Sequence, residues 1–345
     1  MPACASTPCR ACMPRTRSTA ASASARRARR APIRWSCCSN AISECPMTMR
    51  EGDLLFHLQD GRALGYRIFG DPGGWPLLFL HGTPGSRLKF SIGDEAGRRL
   101  GLAIIAPDRW GYGLTDAPAV ARLSTYADDM AALMDHLGHA RFAVGGVSGG
   151  GPFAAAVAAC HARRVAALAL ISPVGPIAEV CGEGALSPAH RFCFTVLPEW
   201  PKAIAVVFRG FRWSLAHAPR LAGQLATLRG AGHDREIIAR PEVAEWLLGS
   251  FREGLRPGMA GPVTDLRVFS QSWDVNPKSI LAPTRMWIGG DDTAVPIAAA
   301  RALAETIPDC TLSEMPGEGH LWLATHYPLV LEWIASAVRA PSLQR

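Results

Sequence analysis

The chain has no run of 18 or more apolar residues, so no transmembrane helix is expected. It has no internal repeat and, after residue 46, no low-complexity stretch, which leaves a globular reading. Metal, nucleotide and flavin motifs are missing as well, so no cofactor is expected. Charge imbalance is also missing from most of the chain. After residue 46 there are 28 basic and 28 acidic residues, so the globular part gives no sign of a nucleic-acid partner.

The imbalance that exists is confined to the start. Residues 1–46 hold eight arginines against one acid, Glu44, and carry the whole net charge of +7 together with six of the ten cysteines. They show no apolar periodicity, contain no histidine and repeat no C-x-x-C pair, which argues against a zinc module. No apolar stretch follows Arg26-Arg27, so secretion is not expected. The segment reads as a disordered or non-native leader: upstream sequence with Met47 or Met49 as the working start, or alternatively an Arg-rich, Ser-rich, acid-poor transit peptide. The other cysteines, Cys160, Cys181, Cys193 and Cys310, are scattered and read as small buried hydrophobes, which fits a reducing, cytoplasmic setting.

From about residue 53, strand-like and helix-like runs alternate, the pattern of an α/β fold whose mostly parallel sheet is covered by helices on both faces. Asp53–Gln59 and Ala63–Phe69 form an opening pair around the hairpin dipeptide Asp60-Gly61. Pro76–His81, Leu102–Ala106, Phe142–Val147 and Val165–Ile171 are short, nearly continuous apolar runs, as expected of strands buried on both faces. Thr125–Leu137 has helical periodicity, with Thr125 and Asp128 as a capping box and Gly138 as its stop. After Ile171 the alternation lapses for about a hundred residues rich in Pro, Phe and Trp, and resumes at Thr284–Gly289. The expected organisation is therefore a core formed by 47–175 and 276–345, interrupted by an inserted helical lid at 176–275. A helix from Ile297 to Glu305, a strand at Thr311–Met315 and a helix from Leu321 to Val338 that must tolerate Pro328 complete it.

Gly146-Val147-Ser148-Gly149-Gly150 fits G-x-S-x-G at the junction of an apolar strand with the Ala-rich helix Pro152–Ala159. A serine on such a turn projects its hydroxyl above the sheet. A hydroxyl is a weak nucleophile, so it requires a base, which in turn requires an orienting acid. Downstream, Gly289-Gly290-Asp291-Asp292-Thr293-Ala294-Val295-Pro296 and Gly317-Glu318-Gly319-His320 each follow a predicted strand, and ligand sites gather at such carboxyl ends.

Together with His81-Gly82-Thr83-Pro84-Gly85-Ser86 and Pro107-Asp108-Arg109-Trp110-Gly111-Tyr112-Gly113, these motifs resemble the α/β-hydrolase superfamily over about 50–340. The resemblance implies Ser148 as nucleophile, His320 as base and, by matching D-x-x-V-P, Asp292 as acid, with Asp291 a turn residue. It also implies an oxyanion hole from the backbone N–H groups of Thr83 and Gly149, since Pro84 has none to offer. His81 reads as a loop anchor, and Asp108-Arg109 as an ion pair or loop brace. Trp110 stands where the pattern has proline.

Within the resemblance, a serine nucleophile argues against haloalkane dehalogenases and epoxide hydrolases, which use aspartate there. Epoxide hydrolases also draw on lid tyrosines, whereas the four tyrosines here all fall outside 176–275. That stretch holds ten of the 22 Phe and Trp residues, which points to a small, apolar substrate. A carboxylic-ester hydrolase is the leading expectation. The alternatives are a proline iminopeptidase, with Glu179, Glu183 or Glu242 holding the amine, a carbon–carbon bond hydrolase, and a non-catalytic ligand binder on the same fold.

Overall fold

The computed structural model describes residues 49–180, 186–228, 230 and 232–340. The leader 1–46, Cys181 and Glu183 lie outside the described residues. Eight strands are assigned: β1 (Leu54–His57), β2 (Ala63–Gly70), β3 (Trp75–Leu80), β4 (Leu102–Pro107), β5 (Phe142–Val147), β6 (Val165–Ile171), β7 (Thr284–Gly289) and β8 (Cys310–Met315). They form one sheet in the order β1-β2-β4-β3-β5-β6-β7-β8. β1 and β2 pair antiparallel around a turn where Gly61 takes φ +86°, and β2 runs antiparallel to β4. Every pairing from β4 through β8 is parallel.

The continuous apolar runs follow from this layering. Successive side chains on a strand point to opposite faces. Leu78 and Leu80 therefore enter one apolar cluster while Leu77 and Phe79 enter the other. Helices α1 (Asp94–Leu100) and α11 (Leu323–Arg339) cover one face; α2 (Leu123–His136), α3 (Gly151–Cys160) and α10 (Ile297–Thr306) cover the other. α11 accommodates Pro328 by a kink at His326, whose φ and ψ are −119° and 21°.

Between β6 and β7 the chain builds α4 (Pro188–Arg191), α5 (Pro201–His217), α6 (Pro219–Ala226), α7 (Gly232–Ala239), α8 (Pro241–Gly254) and α9 (Ala260–Ser270). Four of these six helices open on proline, whose missing N–H costs nothing in a first turn, and this accounts for much of the proline in the stretch. Their apolar faces meet in a cluster of their own that includes Leu215, Leu247 and Phe251.

Two local expectations differ from the structure. α2 begins at Leu123, and no capping box forms at Thr125; instead the Asp274 carboxylate accepts the Leu123 N–H at 3.0 Å. The three described cysteines are not buried hydrophobes either: Cys160 is exposed, and Cys193 and Cys310 are half-buried, all as free thiols.

Candidate active site

The order of strands fixes where ligands can sit. From β3 the chain steps to β4 on one side and then returns to β5 on the other, so the loops leaving β3 and β5 diverge and leave a crevice between their carboxyl ends. The first of these loops is His81–Ser86, and the second begins at Ser148.

Ser148 adopts φ +54°, a left-handed conformation uncommon for any residue but glycine or asparagine. The turn is held by close packing behind it: a methyl on Gly150 would lie 2.5 Å from the Leu80 carbonyl oxygen and 2.6 Å from that of His81. Glycine is therefore required there by space. The geometry aims the Ser148 hydroxyl at the loop after β8, where His320 Nε2 lies 2.9 Å from Ser148 Oγ. On the other side of the ring, His320 Nδ1 lies 2.7 Å from Asp292 Oδ2. The remaining oxygen, Asp292 Oδ1, accepts the N–H groups of Ala294 and Val295 at 2.9 and 3.2 Å. Nδ1 thus carries the proton toward the carboxylate, and Nε2 is free to accept one from serine.

Asp291, by contrast, is exposed, and its N–H donates to the Glu318 carbonyl. Burial alone would raise the Asp292 carboxyl, but His320 and the two N–H donors outweigh it and hold the acid below the usual carboxylate range. For His320, burial favours the neutral ring, yet the charge and hydrogen bond of Asp292, with the charge of Asp234, lift its pKa above that of free imidazole.

Thr83 and Gly149 face one another beside the hydroxyl: a methyl on Gly149 would fall 2.1 Å from Thr83 Oγ1. Gly149 lies in the first turn of a short 3-10 helix, Ser148–Gly150, where N–H groups have no intrahelical acceptor. The Thr83 N–H has no acceptor among the described residues. Neither N–H group therefore has an assigned acceptor among the described residues.

The loop carrying Thr83 is braced from beneath. His81, fully buried, accepts the Arg109 N–H on Nε2 at 2.9 Å, and its Nδ1 donates to the Gly82 carbonyl at 2.8 Å. Burial and the nearby Arg109 charge keep that ring neutral. The Arg109 guanidinium donates to the carbonyls of His81 and Gly82, at 2.8 and 3.0 Å. Asp108 and Arg109 do not pair with each other. Asp108 binds Arg87 at 2.7 Å, while Arg109 binds Asp265 at 2.6 Å.

Two acids absent from the expected site also contribute. Asp265 on α9 accepts the Thr83 hydroxyl at 2.5 Å and the Tyr112 hydroxyl at 2.7 Å. Asp234 on α7 accepts the N–H groups of His320 and Leu321 at 3.0 and 2.7 Å, fixing the loop that carries the imidazole. Both are buried and share helical spacing with buried apolar residues, Asp234 with Ile237 and Ile238, Asp265 with Val268 and Phe269. An acid on the inward face of a helix is the signal that could have found them.

Above Ser148 opens a cavity of about 690 Å³, with Gly82, Thr83, Pro84, Ser148 and His320 at its floor and α5, α8 and α9 among its walls. Of the ten aromatic residues expected in the insertion, Phe194, Phe208, Phe211, Trp213, Trp246, Phe251 and Phe269 line it; Phe192, Trp200 and Trp273 do not. Glu179 and Glu242 are exposed and do not line it. Among the described residues no group of three or more metal-ligating side chains is assembled, and no helix is long and apolar enough to cross a membrane.

Comparison with known proteins agrees with this architecture. Residues 76–327 match the family model described as alpha/beta hydrolase fold. A non-heme chloroperoxidase from Streptomyces lividans is 28% identical over 283 residues, covering 77% of this chain and 92% of the relative. A 2-hydroxymuconate semialdehyde hydrolase from Pseudomonas putida is 27% identical over 274 residues, 75% of this chain and 85% of the relative. Among solved structures, an alpha/beta hydrolase fold protein from Nakamurella multipartita superposes with a TM-score of 0.63 at 25% identity, covering 84% of this chain and 99% of that one. The eight-stranded sheet and the family match over most of the chain establish that this protein belongs to the α/β-hydrolase fold family.

Proposed function

We propose that the protein is a serine hydrolase that cleaves a carboxylic ester of a small, mainly apolar substrate, with Ser148, His320 and Asp292 as its catalytic residues. The observation that carries this reading is the pair of contacts at 2.9 and 2.7 Å joining serine, histidine and acid at the floor of an aromatic cavity. In the proposed reaction Ser148 Oγ attacks the ester carbonyl as its proton passes to His320 Nε2. The oxyanion is held by the N–H groups of Thr83 and Gly149. The alcohol leaves with the proton from His320, giving an acyl-enzyme, and a water activated by the same imidazole then releases the acid. The helices at 176–275 act as a lid whose aromatic walls bind the apolar part of the substrate and exclude water.

A second reading, carbon–carbon bond hydrolysis, has the support of the semialdehyde hydrolase named among the similar proteins. A peptidase has less support, since Glu179 and Glu242 are exposed and do not line the cavity, while Glu183 lies outside the described residues.

The test combines a fluorophosphonate probe with a substrate panel of p-nitrophenyl esters, a diketone, a proline amide and a peroxide-dependent halogenation assay. The probe should label Ser148 alone, and Ser148→Ala should lower ester turnover by about 10³-fold or more. Label persisting on the variant would remove Ser148 from its role. A diketone or proline amide outperforming every ester would replace the substrate class, and full labelling without any turnover would favour a binding protein.

A further inference from the structure

Lys89 lies on the short 3-10 helix Arg87–Gly93, directly after the loop that carries Thr83. Its side chain enters the same cavity as Ser148 and His320, and the residue is only 8% exposed. Two residues earlier, Arg87 is neutralised by three carboxylates, those of Asp53, Asp108 and Glu253. Lys89 has no such partner: among the described residues no carboxylate lies within ion-pair distance of its ammonium, and no Asp or Glu lines the cavity. Its neighbour is an aromatic face, with Nζ 5.3 Å from the Trp246 ring centroid. That ring is held in place by its own N–H, which donates to the Lys89 carbonyl at 2.8 Å.

A π face engages one side of an ammonium and leaves N–H donors unused. Burial pushes the amine down to about 8, which leaves it mostly protonated at pH 7. The cavity therefore holds a largely buried cation with no carboxylate partner among the described residues, in walls that are otherwise mainly apolar. Such a charge is costly alone and favourable once an anion reaches it.

We infer that Lys89 is a specificity-determining residue that receives a carboxylate borne by the substrate, so that the preferred ester has an apolar body and one anionic group. This rests on the hydrolase reading above and narrows its substrate class. A wholly apolar ester would leave the ammonium unpaired, whereas a chain with a carboxylate at its far end would satisfy both the aromatic wall and the cation.

The experiment separates this inference from the reading beneath it. Ser148→Ala protein, which cannot turn over ester, is titrated by calorimetry with monomethyl adipate and with dimethyl adipate. The acid ester should bind about 10- to 100-fold more tightly than the diester, the range expected for a charge-assisted hydrogen bond. Adding Lys89→Met should erase the difference, and Lys89→Gln serves the same purpose if the methionine variant does not fold. Equal binding of the two ligands, or a preference unaffected by either substitution, overturns the inference. In otherwise unaltered protein, the kcat/KM ratio of mono-p-nitrophenyl adipate to p-nitrophenyl hexanoate should fall with Lys89→Met by a similar factor. Turnover of both esters with an unchanged ratio would leave the hydrolase standing and remove Lys89 from specificity. Absence of all turnover beside a Lys89-dependent binding preference would remove the hydrolase and keep the anion site.

Discussion

At the scale of single residues, the neighbouring acids Asp291 and Asp292 separate by environment. One is exposed at the tip of the turn, and the other is buried against the imidazole. Asp292→Asn should lower kcat/KM by about 10³-fold or more, since a neutral amide neither selects the tautomer nor stabilises the imidazolium, while Asp291→Asn should stay within about twofold. The reverse order would transfer the role to Asp291. Because Asp292 and Asp234 lift the His320 pKa above its free value, and only the neutral ring accepts the serine proton, kcat/KM should rise with pH through an ionisation above about 6.5. In Asp292→Asn that limb should move to lower pH, and a limb that stays in place would assign the ionisation to another group. Ser148 and the acid pair were legible in the sequence because they stand among glycines at the carboxyl ends of apolar runs, and His320 because Gly317 and Gly319 precede it in the loop after a predicted strand. Asp234 and Asp265 were not, since they reach the loops they hold across 86 and 182 residues of chain. Lys89 was hidden for another reason: lysine is ordinarily a surface residue, and only the cavity shows that this one points inward.

Among the elements, the inner strands β3 to β7 were the most readable part, because burial on both faces makes their composition unambiguous. Helix starts were less so. The N-terminus of α2 is capped by Asp274, 151 residues away from Leu123, and no local pattern contains that partner. Asp274→Ala should therefore destabilise the protein by about 1 kcal/mol, as loss of an N-cap does, and should lower its thermal midpoint. Thr125→Ala, at the position of the expected capping box, should have a smaller effect. Finding the larger loss at Thr125 would restore the local cap and make the Asp274 contact incidental.

On the scale of the whole molecule, one buried cation joins distant parts of the fold. Arg87, with no exposed side-chain surface, binds Asp53 ahead of β1, Asp108 after β4 and Glu253 on α8. Removing it strips Asp108 of its cation, while Asp53 keeps Arg67 and Glu253 keeps Arg50 and Arg256. Arg87→Met should cost about 3–5 kcal/mol in urea denaturation, the range for stripping one partner from a buried ion pair. A loss below about 1 kcal/mol would mean that the acids rearrange or take up protons at little expense. Asp234 and Asp265 add a restriction of a different kind. The helices between β6 and β7 supply most of the cavity wall, yet they also send one carboxylate to the loop of Thr83 and another to the loop of His320. In the proposed hydrolase, substrate preference and the alignment of the reacting groups would therefore be inherited together. A chimera that takes this segment from a related hydrolase would gain a new pocket and a working catalyst only if the incoming helices brought an acid to each of those two places.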